Sequence, residues 1–317
     1  MRLADVERHG APRALVPARR AGARGLWSDA WRRLRRNHAA VAAIAVIALL
    51  ALVALLAPAL APHDPNAIPA GVRANAKPFW LAGHDPRFPL GTDHLARDEL
   101  SRLLYGARIS LVVGLVPVAI VVLLGTPLGL ASAWLGGRWD NLLMRLVDVV
   151  YAFPSLLFLI ILQAALRETP FAKALSGLLL LFVAFAVTGW TGLARLVRGE
   201  ALRLKGTEFV EAARAVGNPT WRLLLRHVLP NSLAPIIVSI AFGVPGFILA
   251  EASLSFLGLG IRPPAPSWGS MVYDSFAKIG SAPEFVLMPA ALIALVLLAF
   301  TFLGDGLRDA LDPWMGT

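Results

Sequence analysis

The sequence predicts an all-α, polytopic membrane protein with six transmembrane helices. Of its 317 residues, 57% are apolar and only 16% are charged, whereas soluble domains carry roughly 25% charged residues. So small a charged fraction cannot cover the surface of a soluble particle of this size. Disordered chains are poor in apolar residues, so the composition argues against disorder as well.

Six apolar stretches are long enough to cross a hydrocarbon core, which takes about 20 residues per helix. They cover 39–61, 109–135, 142–166, 174–195, 233–257 and 286–304. Proline and glycine occur in several of them, and membrane helices tolerate both where neighbouring groups satisfy the freed backbone. The first stretch exceeds the usual signal-peptide core, so we expect a signal anchor, although Ala59 and Ala61 form an Ala-x-Ala pattern.

These stretches divide the chain into a series of expected regions. They are a basic tail at 1–37, a first transmembrane helix at 38–61, an extracytoplasmic segment at 62–106, a membrane core at 107–304 that contains a cytoplasmic loop at 196–232, and a C-terminal tail at 305–317.

Basic residues set the expected orientation. The segment 1–37 carries ten arginines against three acidic residues, and an excess of arginine and lysine marks the cytoplasmic side. An even number of spans then puts both termini and the loop 196–232 in the cytoplasm. A basic tail can also bind nucleic acid, but here it adjoins an apolar span, so we expect the lipid bilayer as its partner and no nucleic acid.

The basic tail ends in a predicted amphipathic helix over 26–36. Trp27, Trp31 and Leu34 share one face, and arginines fill much of the opposite face. Such a pattern is typical of a helix that lies on the inner membrane surface.

The loop 196–232 contains the most informative pattern in the sequence. Thr207 can cap a first helix, and Gly217 suits the left-handed position that ends one. The apolar stripe between them is Phe209, Ala212, Ala213 and Val216.

A second short helix is predicted directly afterwards. Asn218 can cap it, Pro219 suits its first position, and Pro230 is expected to end it. Its apolar stripe is Trp221, Leu224, Leu225 and Val228. Spacing alone supports equally an interfacial hairpin and a docking element for a cytoplasmic partner.

A resemblance favours the docking element. The residues Glu211-Ala212-Ala213, Gly217 and Leu229-Pro230 resemble the EAA loop of ABC importer permeases, with His227 where isoleucine is usual. In that family the loop forms a coupling helix in a groove of the ATP-hydrolysing subunit. The resemblance implies coupling roles for Thr207, Phe209, Glu211, Ala212, Ala213, Gly217, Leu229 and Pro230.

Further motifs narrow the resemblance to the C-type permease of dipeptide, oligopeptide and nickel ABC importers, from about residue 26 to 313. The matching segments are 61–65, 90–93, 97–98, 101–102, 105–108, 251–260, 263–264, 266–269 and 304–313. Ala96 departs from the family, which usually has glycine before Arg97-Asp98, and could stiffen that turn. The resemblance implies a MetI-like permease core.

The same resemblance implies the partners and the cargo. It points to a B-type permease, two ABC ATPase subunits and an extracytoplasmic solute-binding protein, with di- or oligopeptides as cargo. ATP and Mg²⁺ would bind to the partner subunits, because none of the four lysines stands in a P-loop pattern. We therefore expect a pathway-forming subunit that is not itself an enzyme; nickel import and an ion-coupled secondary transporter stay as alternatives.

Two patterns that could carry chemistry favour a plainer interpretation. A metal site or a solvated loop could explain the group of His63, Asp64, His84, Asp85, Asp93 and His94, and we favour the loop. Ser275 and Lys278 match the Ser-x-x-Lys pattern of acyl enzymes, but the accompanying motifs are absent from the sequence. We expect no catalytic and no metal-binding residue in this chain.

Two acidic residues fall within the apolar spans, where ionisable groups are costly. Asp148 can pair with Arg145, three positions earlier on the same helix. Glu251 can line a pathway or hold two helices together, and we favour the second role.

Overall fold

The computed structural model describes residues 26–312, and the regular structure within this range is helical apart from one β-bridge between Thr92 and Asp98. Residues 1–25 of the predicted basic tail and 313–317 of the predicted C-terminal tail lie outside it. The helices are α1 Leu26–Arg36, α2 His38–Leu60, α3 Glu99–Leu135, α4 Gly137–Tyr151, α5 Ser155–Leu166, α6 Pro170–Lys173, α7 Leu178–Lys205, α8 Glu208–Ala215, α9 Thr220–Leu223, α10 Leu229–Phe256, α11 Trp268–Phe276 and α12 Glu284–Leu311.

The predicted all-α membrane fold is confirmed. Five helical stretches are long and apolar enough to cross a bilayer, and they contain α2, α3, α7, α10 and α12. The sixth predicted span, 142–166, is broken into α4 and α5, which are bent by 74°. Pro154 explains the break, because proline lacks a backbone donor and disfavours helical geometry at the residue before it.

Several helices run beyond the predicted apolar stretches. Helix α3 begins at Glu99, where the apolar stretch begins at 109. Helix α7 continues to Lys205 and α12 to Leu311, where the apolar stretches end at 195 and 304. At the start of α3, the Asp98 carboxylate accepts a hydrogen bond of 3.0 Å from the Ser101 amide and so caps the helix. Apolar length therefore underestimates these helices, because their polar ends are capped or paired.

The core of the bundle is the close contact of α3 with α7. Gly125 and Gly129 of α3 permit it: a Cβ atom at Gly129 would lie 2.5 Å from the Ala194 carbonyl oxygen of α7. Val197 and Ala201 continue the buried face of α7 toward its end. Helix α10 packs against α3 on another side, and α12 against α10 and α2.

The predicted amphipathic helix is α1, which packs against the end of α12. Ala30 and Leu34 are buried there with Ala310 and Leu311. The Arg33 guanidinium donates a hydrogen bond of 2.8 Å to the carbonyl oxygen of Asp312.

Trp27 and Trp31 of α1 remain half exposed on the surface. The apolar face of α1 is thus divided between the bundle and its surroundings.

An ion-pair network ties the segment before α3 to α11. Arg97 lies 2.6 Å from the Asp93 carboxylate, and Arg102 lies between Asp93 at 3.3 Å and Asp274 of α11 at 3.5 Å. Burial raises the pKa of the Asp274 carboxyl, whereas the neighbouring Arg102 lowers it. Both guanidinium groups are buried, so loss of either carboxylate would leave an uncompensated buried charge.

Ala96, where the resembled family usually has glycine, stands at a position with unusual backbone geometry. Its backbone is left-handed, with φ of 64°, in the turn where the Asp93 amide donates a hydrogen bond of 2.9 Å to the Arg97 carbonyl. Glycine adopts this conformation without steric cost, whereas alanine does not.

Replacing Ala96 with glycine should therefore stabilise the protein. The left-handed conformation costs alanine about 1–2 kcal/mol, and the added backbone entropy of glycine takes back about 0.5–1 kcal/mol. We expect a higher midpoint of thermal unfolding in detergent for Ala96→Gly. The control Ala82→Gly, at an exposed position without positive φ, should lower the midpoint; an equal decrease in both variants would contradict the strain.

Candidate functional site

The loop between α7 and α10 is anchored on the end of α3. The Lys205 ammonium donates hydrogen bonds to the carbonyl oxygens of Ala133 at 2.9 Å and Trp134 at 3.1 Å. The Arg214 guanidinium lies over the Trp134 ring at 5.1 Å, and the indole nitrogen donates to the Thr220 hydroxyl at 3.3 Å. Both arms of the loop therefore contact a single tryptophan.

Thr207 takes the N-cap position of α8 as predicted, but its side chain does not cap the helix. The backbone is extended, with φ −85° and ψ 147°, while the hydroxyl donates a hydrogen bond of 2.6 Å to the Leu204 carbonyl at the end of α7. Thr207 therefore joins α8 to α7. The buried residue of α8 is Val210, which lies next to the predicted stripe and packs with the α3–α7 core.

The predicted apolar stripe of α8 faces outward. Phe209 is 43% exposed and Val216 is 85% exposed, and Ala212 and Glu211 are exposed as well. We call Phe209, Glu211, Ala212 and Val216 the α8 surface. Ala213 is half-buried behind it. Within residues 26–312 the Glu211 carboxylate has no side-chain hydrogen bond or ion pair, so its implied coupling role has no intramolecular contact behind it.

Gly217 ends α8 in the predicted left-handed conformation, with φ of 87°. The Gly217 amide donates to the Arg214 carbonyl at 2.9 Å, and the Asn218 amide to the Ala213 carbonyl at 3.4 Å. These bonds form a Schellman motif. The Asn218 side chain also donates to the Ala213 carbonyl, at 2.8 Å, so the prediction that Asn218 caps the second helix is wrong.

The second helix does not end at Pro230. Pro219 is its N-cap residue, and α9 passes through a π-helical turn, Leu224–Val228, directly into α10. Leu229 begins α10 and is half-buried, and Pro230 is exposed in its first turn. A proline clashes with the carbonyl four residues earlier in an α-helix; the wider π-helical turn accommodates it and keeps the helix continuous.

The predicted apolar stripe of this second helix is not buried as a unit. Trp221 and Leu225 are exposed, while Leu223 and Val228 are buried. The π-helical turn changes the residue period from Leu224 onward, whereas the burial of Leu223 precedes it.

Asp148 pairs with a different partner from the predicted one. Its carboxylate lies 2.7 Å from Arg195 of α7, and Arg195 also lies over the Tyr151 ring at 4.3 Å. Arg145, on the same helix as Asp148, is not its partner. A neighbouring ion pair was missed: Arg198 donates two hydrogen bonds of 2.7 Å to the Asp140 carboxylate, joining α7 to α4. Opposite charges at the ends of adjacent spans were its only signal in the sequence.

Glu251 is fully buried between α10 and α11. One of its carboxylate oxygens accepts hydrogen bonds from the hydroxyls of Ser255 at 2.6 Å and Ser267 at 2.8 Å. The Ser267 hydroxyl in turn accepts from the Ser270 amide and caps α11. The Ser255 contact lies within α10, and the Ser267 contact joins α10 to the start of α11.

A cavity of about 620 Å³ opens where α4 and α5 are broken, against α7 and α10. Its lining is aromatic, aliphatic, small or hydroxylic and contains no charged residue. Among the lining residues are Tyr151, Phe153, Ser155, Thr188, Thr191, Gly192, Gly246 and Phe247. A Cβ atom at Gly192 or Gly246 would meet nothing within 4 Å. Helix packing therefore does not require glycine at either position, and both leave open space in the cavity.

The group of histidines and aspartates before α3 and the Ser-x-x-Lys pattern do not form sites in the described part of the chain. Between residues 26 and 312, no three histidine, cysteine or acidic side chains are close enough to hold a metal ion. Ser275 is buried in α11 and Lys278 is exposed beyond it, and no hydrogen bond between their side chains occurs in this range.

Two family models match the chain. The binding-protein-dependent transport system inner membrane component matches residues 125–317. The N-terminal TM domain of oligopeptide transport permease C matches residues 25–78.

Curated relatives are similar over nearly the whole chain. The oligopeptide transport system permease protein OppC of Haemophilus influenzae is 40% identical and covers 92% of this chain and 89% of its own. The dipeptide transport system permease protein DppC of Bacillus subtilis is 41% identical, with 90% and 85% covered. The glutathione transport system permease protein GsiD of Escherichia coli is 40% identical, with 99% of both covered.

A solved structure has the same fold. The crystal structure of an amino acid ABC transporter with histidines aligns with a TM-score of 0.50 at 16% identity, over 66% of this chain and 94% of that chain. Together with the two family models, these matches show that the chain belongs to the binding-protein-dependent inner-membrane permeases and is a multi-pass, C-type permease subunit of an ABC importer.

Proposed function

We propose that this subunit forms half of a heterodimeric pathway that imports di- and oligopeptides released by an extracytoplasmic solute-binding protein. A B-type permease would supply the other half, and two ABC ATPase subunits would bind ATP and Mg²⁺. The observation that carries the proposal is the α8 surface, which exposes Phe209 and Val216 although both are apolar. The peptide cargo is supported by the names of the relatives, which are permeases for oligopeptide, dipeptide and glutathione transport.

The geometry allows a push on α8 to reach two spans at once. Thr207 and Val210 fasten α8 to α7, and the Schellman motif at Gly217 fixes the exit toward α9. Because α9 continues through the π-helical turn into α10, displacement of α8 tilts α7 and α10 together. These two helices line the cavity at the α4–α5 break, so such a tilt would change its access.

Purification of the importer from native membranes tests the proposal. The assembly should contain two ATPase subunits and a second permease, and proteoliposomes should take up peptides only with ATP and the binding protein. Uptake driven by a proton or sodium gradient without these subunits would instead support the secondary transporter, and ATP-dependent uptake of nickel but not peptides would support the metal importer.

Gly217→Pro should abolish uptake without removing the protein from the membrane. Proline requires φ near −65° and has no backbone donor, whereas Gly217 has φ of 87° and donates to Arg214. We expect ATP-dependent uptake below about a tenth of wild type, since α8 then meets the ATPase at a wrong angle.

Gly206→Ala is the control, because Gly206 has φ of −95° and open space around its Cβ position. It should keep normal uptake. Glu211→Lys, at an exposed position, should also abolish uptake at normal membrane abundance. Wild-type uptake in Gly217→Pro and Glu211→Lys would refute the coupling role of α8.

The expected orientation can be tested by cysteine labelling, because the chain contains no cysteine. Ala74→Cys and Ala215→Cys place thiols at two exposed positions. If the termini and α8 are cytoplasmic in a bacterial inner membrane, an impermeant thiol reagent added to intact cells should label position 74 and not 215. Both should react in permeabilised cells, and the reverse pattern in intact cells would overturn the orientation.

A further inference from the structure

The ion pair of Asp148 and Arg195 lies directly beside the cavity at the α4–α5 break. Thr191 and Gly192 line the cavity, and Arg195 follows them by one helical turn on the same face of α7. Tyr151 lines the cavity as well, and its ring lies 4.3 Å from the Arg195 guanidinium carbon. The pair therefore lies at the end of the cavity that faces α8.

Both charged groups keep unused hydrogen-bonding capacity. Of the five N–H donors of a guanidinium, Arg195 uses one, which donates to Asp148 at 2.7 Å. No second acceptor reaches it within the described residues. The Arg195 and Asp148 side chains are 38% and 66% exposed, although both belong to membrane-spanning segments. Ionisable groups in such segments face a water-filled pathway or a neighbouring subunit rather than lipid.

The neighbouring pair of Arg198 and Asp140 is built differently. Its two hydrogen bonds of 2.7 Å are parallel, and the Ser132 hydroxyl also binds Asp140. The Asp140 side chain is only 14% exposed. This pair fastens helices, whereas the Asp148–Arg195 pair is more exposed and lies beside Tyr151 and Thr191, which line the cavity.

We propose that Arg195 binds the terminal carboxylate of a peptide as it leaves the cavity, and that Asp148 competes with that carboxylate for the guanidinium. The inference rests on the proposed peptide import. A cavity without charged lining residues cannot select a side-chain charge, whereas the terminal carboxylate is common to all linear peptides. Guanidinium groups bind carboxylates through paired N–H donors, and exchange with Asp148 allows the peptide to be released.

Competition between Asp148 and the peptide carboxylate for Arg195 predicts that neutralising Arg195 and neutralising Asp148 have opposite effects on peptide binding. Arg195→Gln removes the cation and should weaken carboxylate binding by about tenfold, while Asp148→Asn removes the competitor and should strengthen it by several-fold. Arg195→Lys should keep part of the binding, since the charge remains. A pair that serves only to hold α4 against α7 would make both neutral variants change in the same direction.

Direct binding to the solubilised importer, without the binding protein, tests this. Labelled trialanine and its C-terminal amide are compared by scintillation proximity, so that the two probes differ only in the carboxylate. Wild type should bind trialanine more tightly than the amide, Arg195→Gln should lose that preference, and Asp148→Asn should increase it. The control Arg203→Gln, whose partner Glu200 lies on the same helix away from the cavity, should match wild type.

Each other outcome overturns the inference. If Arg195→Gln weakens the binding of trialanine and of its amide equally, the role of Arg195 is structural or belongs to an interface. If wild type binds both probes with equal affinity, or binds neither, there is no carboxylate site. Normal ATP-driven peptide uptake alongside any of these results would leave the proposed import standing. Absence of such uptake in wild type would refute the import itself.

Discussion

The architecture depends on the close contact between α3 and α7. Glycine at positions 125 and 129 brings the two backbones together, and α2, α4, α5, α10 and α11 each pack against at least one helix of this pair. Lys205 holds the end of α7 to the last carbonyls of α3, and Arg198 holds α4 beside it. Because membrane helices gain no hydrophobic driving force from association in lipid, close packing and such polar contacts carry their specificity.

Two kinds of polar contact serve different purposes in this bundle. Buried groups with several partners, such as Glu251 with its two serine hydroxyls, connect elements permanently. Groups with one partner and an exposed side, such as Arg195, can exchange that partner for a ligand. Two apolar residues of the loop differ in a comparable way. Val210 is buried and fastens α8, whereas Val216 is exposed on the surface of the loop.

Sequence patterns predicted the helical membrane fold, the apolar spans and the left-handed end of α8, because each rests on local chemistry. Gly217 and the span 38–61 are examples. The break at Pro154 and the π-helical turn before Pro230 were not predicted: proline is tolerated in many membrane helices, and its effect depends on neighbours that compensate for the lost donor. The partner of Asp148 was missed for a related reason, since Arg145 is near in sequence but Arg195 is near in space.

The contact between Arg33 and the Asp312 carbonyl also constrains the number of times that the chain crosses the bilayer. Arg33 precedes the first of the long helices and Asp312 follows the last, so their contact places both residues on the same face of the membrane and makes the number of crossings between them even. Five unbroken helices are long enough to cross, and that count is odd. If all five of these helices cross the bilayer, the even number requires the kinked pair α4 and α5 to complete a crossing of its own rather than to fold back as a re-entrant hairpin.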